Sequence, residues 1–126
     1  MAEFSDYMEN AIINVMRSTT FTGVAAYVAL YTAAPSDAGG GTEVTGGSYA
    51  RQLAGLSAPS NGTTSNASDI TFPTATANWG TLTHVGIFDA ATSGNLLMWS
   101  DLDVSKTVNS GDTYKINAGD LDVVIT

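Results

Sequence analysis

Apolar positions along this chain follow a helical period at the start and a strand period nearly everywhere afterwards. From Ala2 to Ser18, AEFSDYMENAIINVMRS places Phe4, Met8, Ala11, Ile12, Val15 and Met16 at spacings of three and four, which predicts an amphipathic helix. Glu3, Asp6 and Glu9 stand early and Arg17 late, which suits the helix dipole. The stripe needs a surface to lie on; the expected one is the chain's own sheet, and the alternative is another subunit. Further on, LTHVGIFD and NLLMWSDL are apolar runs rich in β-branched and aromatic residues. They flank Ala-Ala-Thr-Ser-Gly, and this predicts a β-hairpin with a five-residue loop. Alternation puts Leu82, His84, Gly86 and Phe88 on one face and Thr83, Val85, Ile87 and Asp89 on the other. Neither face is polar, so the hairpin is expected to be covered on both sides, centrally or at a subunit contact.

Shorter strand signals surround the hairpin. VAAYVALY (24–31), YARQLAGL (49–56) and SDITF (68–72) are candidate strands, the last stopped by Pro73 or left at an edge. Lys106–Val108, Thr113–Ile116 and LDVVIT (121–126) follow the hairpin, joined by turns at Asn109–Asp112 and Ala118–Asp120. SDAGGGTEVTGGS (36–48), with five glycines, and APSNGTTSNAS (58–68) read as polar loops. The expectation is a mainly β, single-domain chain over 1–126. It has one N-terminal amphipathic helix in 1–18 and a β-sandwich or jelly-roll-like body over 24–126.

Composition narrows the function. The chain has 126 residues, enough for one core, and 44% of them are hydrophobic, but only 13% are charged, about half the usual share. Ala, Gly, Ser and Thr fill the stretches between apolar runs, a surface suited to packing against other chains. The net charge of −8 comes from 12 acids against Arg17, Arg51, Lys106 and Lys115. Four scattered bases do not supply the cluster that phosphate recognition needs, which argues against nucleic-acid binding. Without cysteine there is neither a disulfide nor a thiolate metal site. No run approaches the ~18 apolar residues of a membrane span. Acids stand between Met1 and Arg17 where a secretion leader would carry bases, so synthesis in the cytoplasm is expected. On that expectation the triplets at Asn61 and Asn66 stay unglycosylated.

Catalytic and cofactor chemistry finds little to stand on. The glycine-rich stretch lacks a following Gly-Lys-Ser/Thr and a strand-to-helix context, so it is no phosphate loop. His84 is the single histidine, in mid-strand, and reads as a core or interface residue rather than a metal ligand or a triad member. No Gly-x-Ser-x-Gly elbow is present. Asp101 with Asp103 and Asp120 with Asp122 are acid pairs two residues apart; solvated strand ends are the expected reading, and calcium the alternative. Nothing points to a cofactor.

Three stretches taken in order carry a resemblance: LYTAAPSDAGGGTEVTGGSYARQ, FPTATANWGTLTHVGIFDAATSGNLLMWSDL and KTVNSGDTYKINAGDLDVVI. Together they resemble a family of small tailed-bacteriophage virion proteins, often labelled tail fibre proteins and related to capsid or neck decoration proteins. The resemblance spans nearly the whole chain, including the amphipathic start. It implies a non-enzymatic structural subunit of the virion, with no cofactor. Such a subunit would be assembled in symmetric copies, with a homotrimer expected, and would contact major capsid, neck or tail proteins but neither nucleic acid nor membrane.

The expected role is decoration or cementing of the capsid or neck surface; the alternatives are a tail-fibre or tail-attachment component and a host-glycan-binding module. Candidate contact residues are Phe4, Met8 and Ile12 on the helix stripe, the aromatics Tyr31, Tyr49, Trp79 and Trp99, and Arg51. The internal core is the competing place for each aromatic. Arg51 is also expected to pair with a nearby acid such as Glu43 or Asp89.

Overall fold

The computed structural model describes residues 3–125. In chain order these form β1 (Glu3–Phe4), α1 (Asp6–Met16), β2 (Tyr27–Ala33), β3 (Thr42–Glu43), β4 (Gln52–Leu53), β5 (Thr63–Ser65), β6 (Ile70–Thr71), β7 (Gly80–Phe88), β8 (Leu96–Val108), β9 (Lys115–Ile116) and β10 (Asp122–Val124). The protein is mainly β, with antiparallel pairing throughout and one short helix near the N-terminus. The expected helix positions Met1 and Ala2, and the last position of the expected sandwich, Thr126, lie outside the described residues.

The predicted hairpin is the centre of the main sheet. Its order is β1-β8-β7-β2-β3, with β4 also on β2, so that β7 and β8 are each paired along one another and β7 is interior. Asp89 holds the connection, its carboxylate accepting from the Asn95 backbone N–H at 2.7 Å and from Asn95 Nδ2 at 2.9 Å. Pairing of Val28 with Ile87 and of Leu30 with Val85 puts those four side chains on one face. Ala29, Tyr31, Gly86 and Phe88 lie on the other. A Cβ at Gly86 would come within 2.9 Å of the Tyr31 ring, so the glycine makes room for that ring to lie over the strand.

Two two-stranded ribbons, β5–β10 and β6–β9, supply a second layer and make the arrangement sandwich-like. Between layers, Val28, Leu30 and Val85 meet Ile70, Phe72, Trp79, Ile116 and Leu121 in the largest core cluster. Ile87, Leu97 and Met98 meet Val123 of β10 in a smaller one. On the far face of the main sheet, Ala29, Tyr31, Phe88 and Leu96 form a third cluster, with Trp99 packed beside them.

Four departures from the sequence expectation have physical causes. The helix starts at Asp6, because Ser5 is extended and its Oγ caps the Met8 N–H (3.2 Å). Ser5 is buried, and it also bonds to β8, its N–H donating to the Leu97 carbonyl at 2.9 Å and its hydroxyl to the Leu96 carbonyl. Glu3 and Phe4 therefore join the sheet as β1, opposite Trp99 and Met98.

Lys106–Val108 is the end of β8 rather than a separate strand. Leu82 pairs with Lys106 and His84 with Asp101, so Leu102 to Ser105 bulge opposite the single residue Thr83. That irregularity breaks alternation: Leu82 enters the same core cluster as Val85, not the face of His84 and Phe88.

The 49–56 stretch forms a ladder at Gln52–Leu53 and a single bridge from Leu56 to Asn66, because Tyr49 turns inward against Phe72 and Trp79, while positive φ at Ser48 and Gly55 bounds the ladder. Both polar loops contain ladder residues: Glu43 pairs opposite Tyr31, and Thr63–Ser65 pair with β10. A turn through Asn61 (φ 54°) and Gly62 (φ 74°) brings Thr63 back to Ser60.

Candidate functional site

One charged cluster is closed on itself. Arg51 makes a two-pronged ion pair with Glu43, Nε to Oε2 and Nη2 to Oε1, both at 2.9 Å. Its Nη1 donates to the carbonyls of Ala90 (3.0 Å) and Ser93 (2.7 Å), and its guanidinium lies 3.6 Å above the Phe88 ring. Of the two acids expected as partner, it is Glu43 that pairs, while Asp89 accepts from Asn95. Against desolvation, those Asn95 bonds hold the Asp89 carboxyl below the usual range.

Glu43 also accepts from the Tyr49 hydroxyl at 2.6 Å, and that hydroxyl accepts from the Leu30 N–H at 3.0 Å. Burial, and then the bond donated to Glu43, push the Tyr49 phenol far above its ordinary value. Burial, with Glu43 nearby, pushes Tyr31 up to about 12. The bond to Glu43 raises Arg51 further, so the guanidinium stays charged and both tyrosines stay neutral. The polar side-chain atoms of Arg51, Glu43 and Tyr49 are each spent on a neighbour. The cluster ties β2, β3 and the 89–95 connection together and offers no free nucleophile or base.

His84 is likewise occupied, Nε2 to Asp101 Oδ1 at 2.8 Å and Nδ1 to Thr83 Oγ1 at 2.8 Å, with the Trp99 ring centroid 6.2 Å away. Among the described residues no three His, Asp or Glu side chains stand close enough to hold a metal ion.

Two surfaces are open instead. The first is α1, which has no buried residue. Phe4 and Met8 pack against Ile87, Leu97 and Met98, but the stripe leaves the sheet beyond them: Val15 is 51% and Met16 81% exposed. Ile13, on another side of the helix, is 55% exposed.

The second is a groove of about 520 Å³ between the β8 bulge and the β9–β10 region. Val85, Ile116 and Leu121 contribute its apolar surface, and Asp101, Asp103, Asp120 and Asp122 all line it, with Lys115 as the one base. Two acid pairs some twenty residues apart in sequence thus share one concavity.

The candidate contact residues are distributed among these environments. Trp79 is buried, its Nε1 donating to the Gly47 carbonyl at 2.9 Å, and Tyr31 is buried on the far face of the sheet. Tyr49 and Arg51 belong to the closed cluster. Trp99 is half-buried, its Nε1 donating to Asp37 at 3.0 Å. Phe4, Met8 and Ile12 are half-buried on β1 and α1. The eight do not form one patch. Sequence reasoning placed Val15 and Met16 on the helix stripe without naming them as contacts, and it did not single out Ile13 or Val104, which is 78% exposed on the β8 bulge. Ile13, falling outside the apolar stripe of the helix, was the available signal.

Comparison with known proteins gives one family. The family model described as podophage GP4 fiber I protein gp80 matches residues 3–124. No curated protein matches the chain.

Proposed function

The chain belongs to this podophage fibre family, and from that premise we propose that it is a non-enzymatic subunit of a phage fibre, attached to other virion proteins through the exposed second half of α1. Membership makes it a phage structural protein of the virion and favours the fibre alternative over capsid decoration. The observation that carries the contact is a helix stripe used at Met8 and unused at Val15 and Met16. An eleven-residue helix gains its stability from packing, and here only one end of it is packed. Lack of catalysis is supported by the closed Arg51–Glu43–Tyr49 cluster and the paired His84, whose polar atoms are committed to neighbours.

We further propose that the chain acts as one domain and that copies associate as a closed trimer, because cyclic symmetry lets each copy bury the same patch. Light scattering would then give about three times 13.0 kDa. Phe4, Met8 and Ile12 seat the helix, while Ile13, Val15 and Met16 make the contact.

The test is the combined variant Ile13→Ser, Val15→Ser, Met16→Ser, followed by counting copies per purified particle. The expected result is an unchanged fold with incorporation reduced about tenfold or more, the loss of a few buried apolar side chains. Normal incorporation would remove the α1 contact. Wild-type copy numbers near those of the major shell protein would restore capsid decoration; a few copies in multiples of three or six fit a fibre.

A further inference from the structure

β8 is an edge strand over most of its length. Among the described residues β1 covers it at Met98 and Trp99, and from Leu102 onward its outer edge meets no strand. Among the described residues β10 is paired on one side, by β5. Both open edges border the groove, whose surface includes Val85, Ile116 and Leu121 and whose acids, Asp101, Asp103, Asp120 and Asp122, face a single Lys115.

An unpaired strand edge is a template for another strand, and native chains guard such edges with charges and bulges. Here the guard is mostly acidic, four carboxylates lining the groove against Lys115. A second copy of this chain would bring its own β1 or β10, and with it Glu3 or Asp122, to a rim already acidic. Nor can the chain supply a complementary segment, since its four bases are scattered and Arg51 is already paired.

We propose that this groove receives an extended, basic strand of a partner virion protein, added to the free edge of β8. The open edge carries the site, and the carboxylates choose the occupant by attracting bases and repelling copies of this chain. Val104, lifted outward on the bulge, supplies an apolar contact at the mouth. The inference rests on the assembly reading above but uses a surface distinct from the exposed half of α1.

The test uses the isolated full chain and two blocked peptides of equal length, one alternating Lys and Val, the other Glu and Val. The measurement is amide hydrogen exchange by NMR. The Lys–Val peptide is expected to slow exchange between Ser100 and Lys106 about tenfold or more, in a salt-sensitive way, while the Glu–Val peptide changes nothing. Asp103→Asn combined with Asp122→Asn should weaken binding about fivefold or more with an unchanged melting temperature.

Absence of slowing with the Lys–Val peptide would overturn the proposal, as would equal slowing by both peptides. Protection that rises with chain concentration alone would replace it with self-pairing, and protection by calcium alone with a cation site. Failure here leaves the particle test of α1 standing. Failure of that test while the peptide still binds leaves the groove standing.

Discussion

The Arg51 cluster and the β8–β10 groove both hold acids, but they use them oppositely. In the cluster, the Arg51 and Glu43 side chains are 8% and 22% exposed, and one carboxylate answers a guanidinium and a phenol at once. In the groove, Asp103, Asp120 and Asp122 are exposed, Asp101 is 73% exposed with one oxygen on His84, and the four carboxylates stand near one lysine, itself paired loosely to Asp69 at 3.7 Å. The first arrangement holds the fold, because removing either partner strands a charge that water barely reaches. The second contributes almost nothing to the fold, because exposed acids are already solvated. Charge that is closed fixes loops; charge left open is available to a partner.

The largest expected effect breaks the closed side. Arg51→Met leaves Glu43 without its cation and frees the 89–95 connection, and should cost about 2–4 kcal/mol. Urea unfolding measures this through its midpoint; a loss below 0.5 kcal/mol, the ordinary size for a surface substitution, would make the cluster ornamental.

Next is the alkaline limb. Tyr31, raised to about 12, and Tyr49, raised further, keep their protons in the fold after the unfolded chain has begun to lose its own near pH 10. Their contribution is whole below pH 10 and is lost as pH rises from there through about 12, by at most about 1.4 kcal/mol per pH unit for each group. Tyr31→Phe should flatten that slope while leaving stability at pH 7 nearly unchanged. Stability measured from pH 8 to 11 checks the sign, and a rise above pH 10 would contradict it.

The smallest stability effect belongs to the open side. Asp103→Asn and Asp122→Asn should each stay within about 0.5 kcal/mol of the parent, although together they are expected to weaken strand binding. A large loss of stability from either would show that the groove acids are tied into the fold as Glu43 is, and the contrast would collapse.

Much of the architecture was legible before any coordinates. The hairpin of β7 and β8 and the amphipathic α1 announce themselves through side-chain period, and both are present within a few residues of where the pattern places them. Less legible were β3 and β5, which lie in polar stretches. Their place comes from main-chain ladders with Tyr31 and Val123, and main-chain hydrogen bonds leave no period in the side chains. The Arg51 pair was half legible: two acids were candidates, and the choice of Glu43 followed from its register opposite Tyr31. The aromatics told least, because a large ring suits a core and an interface equally. Trp79 lies inside and Trp99 partly so, while the apolar surface left exposed on the second half of α1 is aliphatic and thioether.

Composition and order alone determined a β-rich chain with a helical start, a low-charge acidic surface and a tailed-phage resemblance, since these depend on residue types and local spacing. Only the tertiary structure decided that α1 is packed at one end, that Leu102 to Ser105 bulge from the sheet, and that Asp101, Asp103, Asp120 and Asp122 share one groove. Each of those depends on contacts between residues far apart in the chain, and the free energy of such contacts is set by packing and register that no local pattern encodes.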